Sequence, residues 1–504
     1  MPLIKSGISI AADMRFGWRP IEKEVRGAPI PLHYDFGPLQ IPVNPLTNRQ
    51  FPALYRGPRI ETSIDVHKNF SNQQNLSVEE CPDPRPKGRA SEPYPSYSFK
   101  MPLKMPKLMP HNFDERPPFV GMNPKMKFEN ELVFNSAFES GNLDVVLKTK
   151  EATYDLYMRV DTNTRGHHQW FYFSIEAPAC FAHQTVTFRV VNFTKPQSLY
   201  SSGMRICYCR QSQRFVWGRT GTNIKYGKSH LIRRHSSDPT KVIHYSMLSF
   251  DFNFGPVKDK EKIYFAYCFP YSFTMLQNFL REVNVCEKET DIFKESVLCT
   301  SLSGLEVPLV TITSRLRSDP KHYNMVRLSE FEDDDSKLSL PMYKKKKYVI
   351  VGARVHPGES NSSYMMQGFI KYLLGDSHQA KQLRKRVVFK IVPMINVDGV
   401  IIGNYRTSMA GNDLNRRYVK PDFRIHPVVC AIKQLASDLI YGVDEENKKK
   451  EDGPVTLNEE ILAFVDMHGH SRKKNVFVYG PQEPLHSEKY LKMRIIPKLL
   501  AEET

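Results

Sequence analysis

Apolar and polar positions along this chain fall into three regimes. Between about residues 126 and 300, short runs alternate: Leu143 to Leu147, Tyr154 to Val160, Trp170 to Ile175, Thr185 to Val191 and Lys262 to Phe269 interleave aromatic or β-branched residues with polar ones. Alternation with a period of two marks half-buried strands, and turn segments such as Glu139-Ser-Gly-Asn break the runs. Many short strands at this spacing predict a β-sandwich. From about residue 301 the pattern changes. Lys347 to Val355 and Val387 to Ile395 are continuous apolar runs, as in parallel strands buried on both faces. Glu460 to Met467 reads as a further strand, and Ser363 to Leu374 and Pro427 to Tyr441 read as helices. Such alternation predicts an α/β domain in which helices cover a mixed or parallel sheet. Glu445 to Pro454 reads as a charged loop.

Residues 1 to 125 are different again, holding 20 of the 36 prolines. Proline removes backbone donors and resists regular elements, which predicts an extended or disordered arm. The expected organisation is an arm over 1–125, an all-β sandwich over 126–300 and an α/β domain over 301–504. The length of 504 residues accommodates about three domains. No internal repeat is visible.

Composition narrows the class without naming a chemistry. Hydrophobic residues make up 40% and charged residues 25%, ordinary globular usage that excludes collagenous, coiled-coil and wholly disordered chains. No run of 18 apolar residues predicts a membrane span, and the first twenty residues lack the apolar core of a signal peptide. The eight cysteines are scattered, unlike a disulfide scaffold. Cys207 and Cys209 would share one face of a strand as buried thiols. A reducing, cytoplasmic location is expected. The net charge of +17 draws polyanions, yet no zinc finger, RNP motif or basic zipper points to nucleic acid. The runs Lys344 to Lys347 and Lys448 to Lys450 are expected to be solvated loops. Gly221 to Ser229 resembles a phosphate-binding loop but has five residues between its glycines instead of four, and no buried strand precedes it. A structural turn is the better reading, and no nucleotide is expected.

The strongest chemical signal is His356-Pro-Gly-Glu359, at the end of a predicted buried strand. In α/β sheets ligands enter outside the carboxyl ends of strands. A His and a Glu three residues apart on the turn into a helix can converge on one cation, and imidazole with carboxylate suits Zn²⁺. His468, at the end of another apolar strand, is the natural third ligand; His470 would share its face and is the fallback. Asp413, Asn415 and Arg416 group amide and guanidinium donors beside a carboxylate, a set able to hold a substrate carboxylate. Arg406, in Asn404-Tyr-Arg406, could stabilise an oxyanion. Taken singly, each arginine would be an ordinary salt-bridge partner.

Together these residues resemble the zinc carboxypeptidases, specifically the cytosolic carboxypeptidase family. The resemblance lies in ARVHPGESNSS (353–363), PMINVDGVIIGNYRTSMAGNDLNRRY (393–418) and VDMHGHSRKKNVFVYG (465–480). It also lies upstream in FESGNLDVV (138–146), HQWFYF (168–173), VNFTKPQSLY (191–200) and FAYCFPYSFTMLQ (265–277). It covers roughly residues 130–480 and leaves out the proline-rich arm. A zinc deacylase of the aspartoacylase type would also use an H-x-x-E plus His set, but the aromatic β-rich region and the N-Y-R…D-L-N-R-R segment speak against it.

The resemblance implies one Zn²⁺ per chain held by His356, Glu359 and His468. It implies an oxyanion role for Arg406, binding of the substrate's terminal carboxylate by Asn415 and Arg416, and orientation of His356 by Asp413. It also implies removal of glutamates from acidic protein C-termini and polyglutamate side chains, with tubulin or microtubules as partner. The family's general-base glutamate has no counterpart here. Glu483, Glu488, Glu502 and Glu503 do not sit in the matching strand motif, so the zinc-carboxypeptidase-like domain is expected to be truncated at its C-terminus. A catalytically impaired protein that binds acidic tails is the alternative expectation.

Overall fold

The computed structural model describes residues 8–12, 131–136, 138–164, 166–234, 240, 242–316, 318, 325–327, 343–441, 461–481, 483–485 and 487–503. Apart from Ile8–Ala12, the proline-rich arm lies outside the described residues, as do the Glu445–Pro454 segment and the Lys448–Lys450 run.

Two five-stranded sheets form the first domain. One runs Val145–Lys150, Thr153–Tyr157, Thr185–Phe193, Val242–Asn253, Thr222–Arg234 in spatial order. The other runs Val133–Asn135, Tyr172–Ala177, Glu261–Ala266, Ile206–Arg210, Gly218–Thr220. Alternation in the sequence translates directly into packing. Phe188 and Phe250 from one sheet meet Phe173 and Phe265 from the other, the rings of Phe173 and Phe265 stacking at 5.5 Å and Phe188 lying 5.5 Å from Phe265. Such ring pairs add to the burial of large apolar faces. The expected β-sandwich is therefore present. Cys207 and Cys209 are buried thiols, as expected, with burial pushing both well above the ordinary thiol range. The Gly221–Ser229 segment runs into the long strand Thr222–Arg234 and forms no strand-to-helix phosphate loop.

The second domain is built on a seven-stranded mixed sheet. Its spatial order is Phe293–Thr300, Glu306–Ile312, Val387–Val392, Lys347–Ala353, Ile461–Gly469, Ile8–Ala12, Val476–Tyr479. Lys347–Ala353 is parallel to both neighbours, and Ile8–Ala12 is parallel to Ile461–Gly469 with Ala11 opposite His468. The hairpin Phe293–Thr300/Glu306–Ile312 joins antiparallel at one edge. Helices Phe273–Cys286, Ser360–Leu374 and Pro427–Tyr441 send Leu276, Leu280, Ile370, Leu373, Val429 and Ile432 into one core with Val310, Val351 and Ile391 of the strands. No helix among the described residues is long and apolar enough to cross a membrane.

Two expectations need correction. The boundary expected at 300/301 falls earlier, because helix Phe273–Cys286 and strand Phe293–Thr300 pack into the second domain's core and sheet. A hairpin has the same local pattern whichever sheet it joins, so periodicity could not place it. The run Lys344 to Lys347 is not wholly solvated either. Lys346 is 1% exposed, and its ammonium donates to Thr313 Oγ1, Ser314 O and Ser314 Oγ, all at 3.0 Å.

The domains are stitched together by hydrogen bonds between residues 140–163 and 400–411. Ser140 N–H donates to Ile401 O at 2.9 Å, Ser140 Oγ to Val400 O at 2.8 Å, and Asn142 Nδ2 to Gly403 O at 2.9 Å. Thr162 N–H donates to Asn404 Oδ1 at 3.1 Å and Asn163 Nδ2 to Met409 O at 2.8 Å. Glu139 Oε1 accepts from Phe273 N at 2.6 Å and Thr274 N at 3.1 Å, satisfying two of the orphan donors at a helix start.

Candidate metal centre

His356, Glu359 and His468 stand at the carboxyl ends of two adjacent parallel strands. The strand Lys347–Ala353 stops, and the chain turns through Arg354 at φ +62°. The Arg354 side chain is 1% exposed, donating from Nε to Pro357 O at 2.7 Å and from Nη1 to Tyr271 O and Ser363 Oγ at 2.9 Å. Burial lowers its pKa to about 10, which leaves it charged at neutral pH. This buried cation clamps the His-Pro-Gly-Glu turn. Gly358 donates to Tyr405 O at 2.7 Å, and a Cβ there would lie 2.5 Å from the Tyr405 ring, so only glycine permits the approach. Helix Ser360–Leu374 then begins immediately after Glu359.

Glu359 lies between the two imidazoles. Its Oε1 is 3.0 Å from His356 Nδ1 and its Oε2 3.0 Å from His468 Nδ1, with Gly469 N–H also on Oε2 at 2.8 Å. The three ligand atoms lie within 4.8 Å of one another. Each outer ring nitrogen meets another carboxylate: His356 Nε2 lies 3.0 Å from Asp413 Oδ1 and His468 Nε2 2.8 Å from Asp466 Oδ2.

The donor chemistry tests whether these residues fit a cation. An imidazole that donates from Nε2 to an aspartate presents a lone pair at Nδ1. Two such lone pairs and a carboxylate converging on one point require positive charge among them, supplied by protons or by a metal ion. The titration follows. Burial opposes the imidazolium of His468, but Asp466 and Glu359 outweigh it and raise the pKa to about 10; His356 is raised by Glu359 and Asp413 against the same opposition. Burial pushes Glu359 up, yet the two imidazoles hold it well below the usual carboxylate range. Two imidazoles and one carboxylate, each imidazole backed by an aspartate, fit Zn²⁺ with a coordination position left open.

Around this triad the other expected residues assemble. Arg406 makes a two-point contact with Asp413, from Nε at 2.9 Å and Nη2 at 2.6 Å, and Nη1 has no hydrogen-bond partner among the described residues. Asp413 thus holds His356 on one oxygen and Arg406 on the other; burial opposes its charge, but these neighbours keep it far below the ordinary range. Asn415 donates its backbone N–H to Asp413 Oδ1 at 3.0 Å, and its Nδ2 lies 3.4 Å from His468 Nε2. Arg416 is exposed, with a single long contact from Nη1 to Asn415 O. His470 does not join the triad. The strand ends at Gly469, so alternation lapses, and His470 Nδ1 instead accepts from the backbone of Arg472 and Lys473. Glu488 and Glu502 lie on the helix Glu488–Glu503, paired with Lys492 and Lys498 on its surface.

Two supporting carboxylates were not singled out in the sequence. Asp466 sits two residues before His468 and shares its face of the strand, a spacing that could have flagged it. Asp161 reaches over from the β-sandwich. Its Oδ1 accepts from Tyr405 N at 2.6 Å, and its Oδ2 accepts from Arg406 N at 2.7 Å, Thr407 N at 2.9 Å and Thr407 Oγ1 at 3.2 Å. The backbone that carries Arg406 is therefore held by the other domain.

Comparison with known proteins gives a consistent result. The family model described as zinc carboxypeptidase matches residues 278–498, and the cytosolic carboxypeptidase N-terminal domain matches residues 134–248. The chain is 37% identical over 380 residues to "Cytosolic carboxypeptidase 3" of Mus musculus, covering 74% of this chain and 33% of the relative. It is 37% identical over 355 residues to "Cytosolic carboxypeptidase 1" of Homo sapiens, covering 69% of this chain and 26% of the relative. The chain thus spans about a quarter to a third of the length of these relatives. A metallo-carboxypeptidase crystal structure from Burkholderia cenocepacia superimposes with a TM-score of 0.48 at 22% identity, over 68% of this chain and 72% of that one. With a cytosolic carboxypeptidase N-terminal domain followed by a zinc carboxypeptidase domain, and their sequence shared with those relatives, this chain belongs to the cytosolic carboxypeptidase family of zinc carboxypeptidases.

Proposed function

We propose that this chain is a zinc-dependent metallocarboxypeptidase that removes C-terminal or side-chain glutamates from acidic protein tails, polyglutamylated tubulin among them, in the cytoplasm. The observation that carries the reading is the meeting of His356, Glu359 and His468 beside Arg406 and Asn415. Zn²⁺ would be held by the two imidazoles and Glu359, and when bound it supplies Lewis acidity and a water of lowered pKa.

The chain's own groups do the rest. Asp413 and Asp466 fix the tautomers of His356 and His468 so that Nδ1 faces inward. Arg406, anchored through Nε and Nη2, offers Nη1 to the oxygen that becomes negative as the scissile carbonyl is attacked. Asn415 and Arg416 would take the free carboxylate of the terminal residue, which restricts the reaction to chain ends. A positively charged protein attracts acidic tails, which favours encounter more than it sets affinity.

The test is release of free glutamate from a polyglutamylated tail peptide by the zinc-loaded chain, with His356→Ala as the blank. Glutamate release at the level of that blank, with the peptide still bound, would replace this reading by the alternative of an acidic-tail binding protein without turnover.

A further inference from the structure

The β-sandwich sends a lysine toward the metal centre. Lys195 follows the strand Thr185–Phe193, and its backbone is held at both ends: its N–H meets Gln169 Oε1 at 3.4 Å and its carbonyl accepts from Tyr226 Oη at 2.5 Å. Its ammonium donates to Tyr405 Oη at 2.5 Å and Ser471 Oγ at 3.0 Å, and lies 4.5 Å from the centre of the Tyr405 ring. Among the described residues no carboxylate lies within ion-pairing distance of it. Burial depresses its pKa to about 8, Glu359 pulls it back, and Arg406 and Arg472 push it further down. A half-buried cation held by two hydroxyls and an aromatic face, with two guanidiniums nearby, is short of negative charge. Buried charges are normally paired.

Tyr405 and Ser471 also line a solvent-open cleft, together with Glu359 and His470 and the apolar Leu199 and Met204. None of residues 413–416 lines it. The cleft thus reaches the metal ligand Glu359 without including Asn415 or Arg416, the groups assigned to the terminal carboxylate, and the Lys195 ammonium stands behind the Tyr405 and Ser471 hydroxyls of its wall. A peptide with its last residue at Asn415 and Arg416 and its scissile bond at the triad would run its preceding residues along this cleft.

We propose that Lys195 is a specificity-determining residue whose ammonium, presented by Tyr405 and Ser471 at the cleft wall, binds the side-chain carboxylate of an acidic residue preceding the scissile bond. The proposal rests on the carboxypeptidase reading for the direction of the substrate. It makes the β-sandwich part of the substrate site, and it selects runs of acidic residues over a lone terminal glutamate. A charge-assisted hydrogen bond in such a site discriminates a carboxylate from its neutral amide by about tenfold to a hundredfold.

The test uses two fluorescein-labelled tail peptides with an N-methylated, uncleavable last peptide bond. One ends Glu-Glu-Glu; the other carries Gln immediately before the last Glu. Fluorescence polarisation gives their affinities for the zinc-loaded full chain. The wild type is expected to favour the all-Glu peptide at least tenfold. Lys195→Met should bring the ratio close to one while leaving affinity for the Gln peptide unchanged, and Lys195→Arg should restore most of the preference. Lys195→Gln, which keeps a donor for Tyr405 and Ser471 without the charge, replaces Lys195→Met if the latter does not fold. The proposal is overturned if the wild type shows no preference, if the neutral variants keep it, or if they weaken both peptides equally, as a merely structural tether would. Cleavable versions of the peptides are assayed in parallel. If neither is shortened while the binding preference behaves as expected, the peptidase reading falls and the assignment of Lys195 stands.

Discussion

Removing Asp161 should uncouple the Arg406 turn from the β-sandwich. Asp161 is fully buried and accepts three backbone N–H groups, of Tyr405, Arg406 and Thr407, plus the Thr407 hydroxyl. In Asp161→Ala those three N–H donors lose their acceptor, and a buried unsatisfied donor costs about 1–3 kcal/mol. Water entering the vacated space recovers part of this, so a loss of about 3–5 kcal/mol is expected, a large share of the roughly 5–15 kcal/mol that holds a domain folded. Asp161→Asn keeps one oxygen but turns an amide against one of the donors, and should cost about 1–3 kcal/mol. Urea unfolding measures both. The carboxylate itself is not free of strain. Burial pushes its pKa up to about 6 against the four hydrogen bonds that lower it, equivalent to roughly 3 kcal/mol in favour of the neutral form. Because the folded-state value lies above the unfolded one, the native chain holds more protons between about pH 4 and pH 6. The contribution of this group to stability therefore falls as pH rises through that window, and Asp161→Asn should flatten the slope. Peptide turnover should drop in both variants, since displacing a catalytic group by about 1 Å can cost a hundredfold. An Asp161→Ala protein within about 0.5 kcal/mol of wild type, with unchanged turnover, would refute the reasoning; the Arg406 turn would then hold its shape without that anchor.

Two further outcomes concern the metal. Asp466→Asn should weaken zinc binding about tenfold to a hundredfold, because the tautomer of His468 is no longer enforced; competition with a chromogenic chelator measures this, and an unchanged affinity would remove Asp466 from the site. Zinc uptake at pH 7 should release protons, chiefly from His468, whose imidazole is held charged by Asp466 and Glu359. Calorimetry in buffers of different ionisation enthalpy counts those protons, and a count near zero would contradict the charge assignment.

The sequence carried the centre of the site and one support, Asp413, and missed Asp466 and Asp161. His356 and Glu359 are three residues apart at a strand end, and His468 closes another apolar run; both are local patterns, and the fold brings the three side chains together. His470, only the fallback ligand, drops out because the strand stops at Gly469 and its ring nitrogen caps a turn. Asp161 carries no local signature, and Lys195, inside the VNFTKPQSLY stretch, carries none that points to a site. Their partners lie more than two hundred positions away, across a domain interface, and a lone aspartate or lysine in a strand-rich region reads as surface. Lys346 shows the same limit from the other side, since a basic run looks solvated until Thr313 and Ser314 fold over it. The domain boundary slipped because the antiparallel hairpin at the sheet edge carries no mark of the sheet it joins.

The seam between residues 140–163 and 400–411 also bears on how the molecule is made. Translation delivers the amino-terminal unit first, and such units generally fold as they emerge. The mould that shapes the arginine turn, whose last strand ends at Ala266, is thus complete roughly 140 residues before the turn itself leaves the ribosome. The later unit expressed alone would have to form that turn with its backbone amides facing water, and a circular permutant that reversed the order of synthesis would lose the waiting template while keeping every contact of the finished protein.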